Sequence, residues 1–516
     1  MAHLCNRPVF AADTEIEVLT ANPGDTINPM NYGHFIEHLG GVIYDGIWVG
    51  ENSKIPNIGG IRRQFVEDMK HIGAPNLRWP GGCFADGYHW RDGIGAKSAR
   101  PRTYNYWEQS MPTGLHATEP NQFGIHEFMR LCRLIGAEPY VAGNVGSSSP
   151  KEFHDWVSYC NAPAGTLSLA DERAANGDSE PFNVKYWGVG NESWGCGGNM
   201  RPEEYARLYR LFITQFPLYT RPFFVACGPR GHSADSDIGW TTGFFDGLKE
   251  TRAPVPQGLA LHYYTDFRNT KTKAGEFSEA GWYTAFQKGL RTEDVIMRHW
   301  GAMGPGHKTK FVVDEWGLWY PPGSENAPGY ILSQTITLRD ALHTALTFDI
   351  FNRHADKIAM ANVAQTINCL HSLFLAQEDK YVRTPVYHVF DMYRPHMGAR
   401  NVPVRIKAES MDVPVLDGRA RIPRISSSAS LRDKRLFVTL TNVSLGEAVS
   451  IRLNLGQARA TEVRGSVLTH PDKQATNTWS KSDEVKPASF PIQLGRSAVA
   501  FIIPKQAVVA IELQVV

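Results

Sequence analysis

The chain has 516 residues, with 53 Lys and Arg against 52 Asp and Glu, for a formal net charge of +1. At about 150 residues per domain, that length implies two or three domains, or one large barrel with an accessory domain. With 42% hydrophobic and 20% charged residues, disordered, collagen-like and coiled-coil chains are excluded, and a near-zero charge argues against a nucleic-acid or anionic-membrane partner. The 13 Trp, 19 Tyr and 25 Phe suit a large core and also stacking against sugar rings. The seven cysteines are odd in number, scattered and never spaced C-x-x-C, which reads as neither a disulfide framework nor a zinc ribbon. No apolar run approaches the roughly 18–20 residues that span a bilayer. The N-terminus MAHLCNRPVFAADTEIEVL lacks the long apolar run of a signal peptide. The cytoplasm is therefore the expected compartment; VFAA, read as the remnant of a trimmed export signal, supports a secreted or periplasmic alternative.

In chain order, the first element is an alternating strand, Glu15 to Thr20, ending at the turn Asn22-Pro23-Gly24. From about Asn31 to about Pro385, short apolar runs alternate with amphipathic stretches, as in β/α units around a parallel sheet. Eight strands are predicted: Tyr32–Gly40, Pro75–Gly82, Glu138–Asn144, Val184–Glu192, Phe223–Pro229, Gly258–Tyr264, Lys310–Trp316 and Lys357–Gln365. Helical periods fill the gaps, at Ile61–Ile72 and Phe123–Ile135 for example. Another helix, Glu203–Phe216, follows Arg201-Pro202, with Pro where its missing N–H costs nothing. Eight such alternations over roughly 350 residues predict a (β/α)₈ TIM barrel. After about Met397 the helical period gives way to strand-like runs, RLFVTLTNVS, AVSIRLNLG, ATEVRGSVLTH, AVAFIIP and AVVAIELQVV, which predict a C-terminal antiparallel β-sandwich of jelly-roll type. The expected division is a catalytic barrel over 29–390 and an accessory sandwich built from 1–28 plus 391–516, completed by the N-terminal strand.

A TIM barrel builds its active site at the C-terminal ends of its strands. The fourth strand ends in Gly190-Asn191-Glu192-Ser193-Trp194 and the seventh in Asp314-Glu315-Trp316. Two carboxylates thus reach one mouth, as glycoside hydrolysis requires: one gives a proton to the leaving oxygen while the other stays ionised. A lone glutamate there reads more simply as a barrel-end residue paired with an arginine; the pair is what shifts the reading. Gly301–Thr309 resembles a phosphate loop only superficially, because it precedes a strand. The eighteen histidines show no H-E-x-x-H and no metal spacing; neither metal nor cofactor is expected.

Six motifs in order, FIEHLGG (35–41), RWPGGCFADGYHWRDGIG (78–95), YWGVGNESWGCGG (186–198), LHYYT (261–265), VVDEWGLW (312–319) and MANVAQTINCL (360–370), resemble those of the glycoside hydrolase family 51 α-L-arabinofuranosidases, members of the clan of retaining (β/α)₈ glycosidases. The resemblance implies Glu192 as general acid/base and Glu315 as nucleophile, with Trp194 and Trp187 providing the apolar surroundings that raise an acid's pKa. It implies Tyr264 as the tyrosine that orients the nucleophile, and Glu37, Asn191 and Gln365 as holders of the furanose hydroxyls; His262 joins the site by its position at a strand end. Cys83 stands where many relatives have Asn. It offers only a weak donor, and a buried inert thiol is the plainer reading. Gly87 leaves a bare spot where a side chain could have faced the leaving group.

The resemblance further implies an arabinose-containing oligo- or polysaccharide as substrate, such as arabinoxylan or arabinan, and a homo-oligomer, relatives being often hexamers. An endo-β-glucanase or β-xylosidase on the same barrel is the first alternative, with the loops Arg91–Asn121 and Thr265–Gly281 deciding specificity. A carbohydrate-binding protein without catalysis, using sandwich aromatics such as Trp479, is the second.

Overall fold

The structure, a computed structural model, describes residues 14–108, 118–216, 219–230, 237–325, 330–495 and 498–516. The VFAA segment, Cys5 and the middle of the loop Arg91–Asn121 lie outside the described residues. Eight parallel strands close a barrel in chain order: Gly33–Phe35, Asn76–Trp79, Glu138–Gly143, Tyr186–Val189, Phe223–Ala226, Gly258–Asp266, Lys310–Trp319 and Ile358–Val363. Each falls within or overlaps a predicted run. Most are shorter than predicted, because the residues after the last ladder bond turn outward to build the mouth.

Strand alternation sorts the side chains into two layers. Tyr140, Val225, Ala260, Val312 and Met360 point inward and, with Met30, Tyr186 and Phe223 against them, plug the barrel. Their neighbours point outward to the helices: Trp187 meets Phe153 and Trp156 edge-on, and Trp79 stacks on Phe128. The helix Arg63–Ile72 buries Phe65, Val66, Met69 and Ile72, and Gly73 ends it at φ 65°, a left-handed conformation that glycine adopts without a side-chain clash. The second predicted helix starts two residues later than its apolar period, at Ile125, because the Glu127 carboxylate accepts from Gly124 N at 2.9 Å and caps the chain there. The third runs Pro202–Ile213.

Beyond the barrel, a five-stranded and a six-stranded sheet face one another. The N-terminal strand Thr14–Val18 lies in the first sheet, antiparallel to Val404–Lys407 and parallel to Val449–Asn454. Ile16, Val18, Leu440, Leu453, Phe501 and Ile511 fill the space between the sheets. The helix Leu338–Arg353 is buried along almost its whole length, because it lies between the barrel and the sandwich. From it, Asp349 reaches across to accept from Ser426 Oγ at 2.6 Å and from Tyr393 at 2.9 Å. No helix among the described residues is long and apolar enough to cross a membrane.

Candidate active site

Glu315 lies on the seventh strand and is buried, its side chain 10% exposed. Both of its oxygens accept hydrogen bonds, Oε1 from Arg78 Nη1 at 2.9 Å and Oε2 from the Tyr264 hydroxyl at 2.8 Å. Burial and the charge of Glu315 lift the Tyr264 phenol well above its usual range, so it remains a neutral donor. Gly82 sits so close that a Cβ there would come 2.5 Å from Glu315 Oε1. The Gly81-Gly82 pair is thus explained by a close approach of backbone to carboxylate.

Glu192 follows the fourth strand at φ +39°, a conformation that a side-chain-bearing residue holds only when its surroundings impose it. The turn is fixed from outside. Asp86 accepts from Asn191 N at 3.0 Å, and its other oxygen accepts from Val145 N and Gly146 N at 2.9 and 3.0 Å. Burial pushes Asp86 up to about 6 in spite of these three donors. One oxygen each of Glu192 and Glu315, with a nitrogen of His262, lie within 4.8 Å of one another. That spacing accords with the roughly 5–5.5 Å of carboxyl pairs in retaining glycosidases and falls short of the roughly 6.5–9.5 Å of inverting ones.

His262 connects the two carboxylates. Its Nδ1 lies 2.9 Å from Glu192 Oε1 and 3.5 Å from Glu315 Oε2, and its Nε2 lies 3.1 Å from Asp314 Oδ1. Burial works against its proton, but the charges of Glu315 and Asp314 prevail and raise the imidazolium to about 10. Burial likewise favours neutral Asp314, yet Arg78 and His262 outweigh it and hold the group below the usual carboxylate range. The Tyr140 hydroxyl donates to Asp314 Oδ2 at 2.8 Å. Arg78, itself buried, also donates through Nη2 to Asn191 Oδ1 at 2.7 Å and packs over the Phe35 ring. Its guanidinium is held charged, against burial, by Asp314 and Glu315.

Glu37 and Gln365 meet on the opposite wall. Glu37 Oε1 accepts from Gly82 N and Phe84 N at 2.9 and 3.0 Å, and Gln365 Nε2 donates to Oε2 at 2.7 Å. Burial, then the charge of Glu315, push Glu37 up to about 7. Gln365 Oε1 is buried with no protein partner among the described residues, an acceptor aimed at a ligand hydroxyl.

Glu37, Asn191, Glu192, His262, Tyr264, Glu315 and Gln365 thus gather at one mouth. Two expectations need correction. Cys83 is neither a hydroxyl donor nor an inert thiol, because it forms a disulfide with Cys196; the cysteine spacing concealed a pairing across 113 residues. Trp187 does not surround the acid, since strand parity turns it toward the helices. Trp194 does reach the mouth, with Arg230 5.5 Å from its ring. Gly87 has open space where a Cβ would project, and Trp479 is half-buried. Arg78, Asp314 and Asp86 were not singled out. For Arg78 and Asp314 the available signal is a charge inside the apolar runs NLRW and FVVDEW, which a parallel strand tolerates only when it is paired; Asp86, in a loop, carries no such signal.

Residues 68–221 match the family model described as "Alpha-L-arabinofuranosidase 1 domain", and residues 314–506 match "Alpha-L-arabinofuranosidase C-terminal domain". The chain is 40% identical over 505 residues to a protein of Bacteroides ovatus named "Intracellular exo-alpha-L-arabinofuranosidase", covering 96% of this chain and 94% of that one. Among solved structures, the GH51 arabinofuranosidase from Xanthomonas axonopodis pv. citri aligns at a TM-score of 0.89 and 36% identity, covering 98% of this chain and 100% of that one. The α-L-arabinofuranosidase of Thermotoga maritima in its arabinose complex aligns at 0.80 and 27% identity, covering 97% and 99%.

Proposed function

The chain belongs to the glycoside hydrolase family 51 α-L-arabinofuranosidases, and from that premise we propose how its mouth works. It is an exo-acting α-L-arabinofuranosidase that removes terminal, non-reducing α-L-arabinofuranosyl residues. The observation that carries a retaining, two-step route is the approach of Glu192 and Glu315 to within 4.8 Å.

In the first step a Glu315 oxygen attacks C1 of the arabinofuranosyl ring while Glu192 gives its proton to the departing glycosidic oxygen. His262 Nδ1 lies 2.9 Å from Glu192 Oε1; in this reading Oε2, the oxygen beside the Cys83 and Cys196 sulfurs, carries the proton. In the second step Glu192 takes a proton from water, the water attacks C1, and arabinose leaves with net retention. Glu37, Asn191 and the free Gln365 Oε1 hold the ring hydroxyls, because a site built to hydrogen-bond hydroxyls rejects sugars that present them differently. Arabinoxylan and arabinan fragments are the natural substrates in this reading. The name of the Bacteroides relative supports a cytoplasmic site of action.

Hydrolysis of 4-nitrophenyl α-L-arabinofuranoside by the wild type and by Glu315→Ala, the mutant with and without azide, tests this reading. Rapid wild-type release, loss on mutation and formation of the inverted arabinosyl azide are expected. Faster release from the aryl xyloside would overturn the specificity, and a retained arabinosyl azide from Glu315→Ala with an inverted one from Glu192→Ala would reverse the roles.

A further inference from the structure

Hydrolysis has no use for a cystine, yet the Cys83–Cys196 disulfide lies against the carboxylate that carries the proton. The two sulfurs stand 3.9 and 3.7 Å from Glu192 Oε2 and 3.9 and 3.6 Å from Asn191 Nδ2. Cys83 comes from the loop after the second barrel strand and Cys196 from the loop after the fourth. The pair is therefore held by the barrel and does not depend on its own bond to stay together. Cys196 is exposed, so reductant and ions reach it from solvent.

We propose that reduction of Cys83–Cys196 turns the mouth into a binding site for a soft divalent cation, zinc above all, held by two thiolates and the Glu192 carboxylate, and that the occupied enzyme does not hydrolyse. Thiolate and carboxylate ligands around tetrahedral zinc, at about 2.3 and 2.1 Å from the metal, stand about 3.6–3.8 Å from one another. Oε2, at 3.9 and 3.7 Å from the two sulfurs, is already within a few tenths of an ångström of that distance. Only the sulfurs must part, and that is what reduction does. Their Cα atoms are 5.6 Å apart, and the ligand atoms of Cys83, Glu192 and Cys196 lie within 4.8 Å of one another. The exposed side leaves the fourth position to water. The chemistry balances: a dithiol reductant gives two electrons and two protons to the disulfide and becomes a disulfide itself, and zinc then displaces the two thiol protons into solvent. Loss of activity rests on the proposed role of Glu192, because the metal takes the oxygen that would carry the proton; metal uptake does not rest on it.

The test uses the full chain, reduced with a phosphine that accepts the oxygen of one water as the disulfide becomes two thiols, then freed of phosphine without air. Cobalt(II) is added first and zinc second. The reduced enzyme is expected to take up one equivalent of cobalt, with thiolate-to-cobalt charge-transfer absorption that one equivalent of zinc abolishes, whereas the unreduced enzyme shows neither. Zinc is expected to lower the arabinofuranosidase rate of the reduced enzyme about 10²-fold, the scale of losing an acid catalyst, with recovery on chelation and no effect before reduction. Cys196→Ser, compared only with itself with and without zinc, should lose both responses. The other described cysteines, Cys132, Cys160, Cys227 and Cys369, are buried thiols; uptake that persists in Cys196→Ser would assign the metal to a different thiol and overturn the site. Absence of the cobalt band after reduction overturns the proposal, as does equal zinc inhibition before and after reduction. A cobalt band without inhibition removes Glu192 from the ligand set and overturns it as stated. Should the wild type lack arabinofuranosidase activity altogether, the cobalt titration still decides the site.

Discussion

In the sandwich, the strand Ala498–Ile503 turns Val499, Phe501 and Ile503 inward and leaves Ala500 and Ile502 to solvent. Its charged neighbours stay on the outer faces, where water screens them. At the barrel mouth the same chain does the opposite and buries Arg78, His262, Asp314 and Glu315 within a few ångströms of one another. A core of the first kind stabilises through the area it removes from water, and each residue contributes nearly alone. A cluster of the second kind holds together only while every charge keeps its partner. The sandwich therefore tolerates gradual loss, whereas the mouth fails when one member is removed.

The largest expected effect is on the chemistry. Glu192→Ala should lower kcat about 10²–10⁴-fold on natural arabino-oligosaccharides, and far less on aryl arabinofuranosides whose leaving group needs no proton. Equal losses on both substrates would mean that Glu192 is not the proton donor. Next comes Arg78→Leu, which strands the carboxylates of Asp314 and Glu315. Removing one partner of a buried ionic set costs about 3–5 kcal/mol, and urea unfolding should show it together with a loss of rate. A stable, active Arg78→Leu would show that the mouth is not held by charge.

His262 makes the comparison pH-dependent. Its pKa in the fold is raised to about 10, against about 6.5 in the unfolded chain, so the folded state binds the extra proton between those values. Its contribution, on the order of a few kcal/mol, is fully present below about pH 6.5 and is lost as pH rises through about 10. The stability gap between the wild type and His262→Asn should therefore be constant at pH 5–6 and shrink steadily toward pH 10; a gap that ignores pH would refute the imidazolium. Leu453→Ala, in the sandwich core, supplies the contrast. It should cost about 2–5 kcal/mol at any pH while leaving kcat unchanged, because Leu453 packs only among the apolar residues between the two sheets.

How much of this the amino-acid order reveals follows the same division. All eight barrel strands and the five named sandwich runs were legible, because apolar period and Gly/Pro punctuation are local properties. Glu192 and Glu315 were legible as strand-end carboxylates. Asp86 was not, since its role is to accept from a backbone N–H at Asn191, 105 residues away. The Cys83–Cys196 bond and the outward turn of Trp187 were hidden for a similar reason: pairing across loops and the parity of a strand are set by closure of the barrel. Even the start of the helix at Ile125 depended on one hydrogen bond from Gly124 to Glu127, which an apolar period cannot register.

The smallest effect tests the comparison most directly, because the sandwich contains the same pair of residue types. Arg435 lies 3.4 Å from Glu512 on the outer face, their side chains 65% and 40% exposed, while Arg78 lies 2.9 Å from Glu315 in the mouth. By distance alone the two pairs differ by half an ångström. By surroundings they differ in the water around them: the exposed pair gains little from its attraction, orders two long side chains and is screened by salt. Arg435→Ala should therefore shift stability by less than about 1 kcal/mol, and the shift should vanish as salt is raised toward about 1 M. The Arg78→Leu loss should persist in the same salt series, since Arg78 and Asp314 are buried and salt screens buried pairs far less. If both losses faded together with salt, the mouth would be behaving as a solvated surface, and the difference between the two regions would be one of position only.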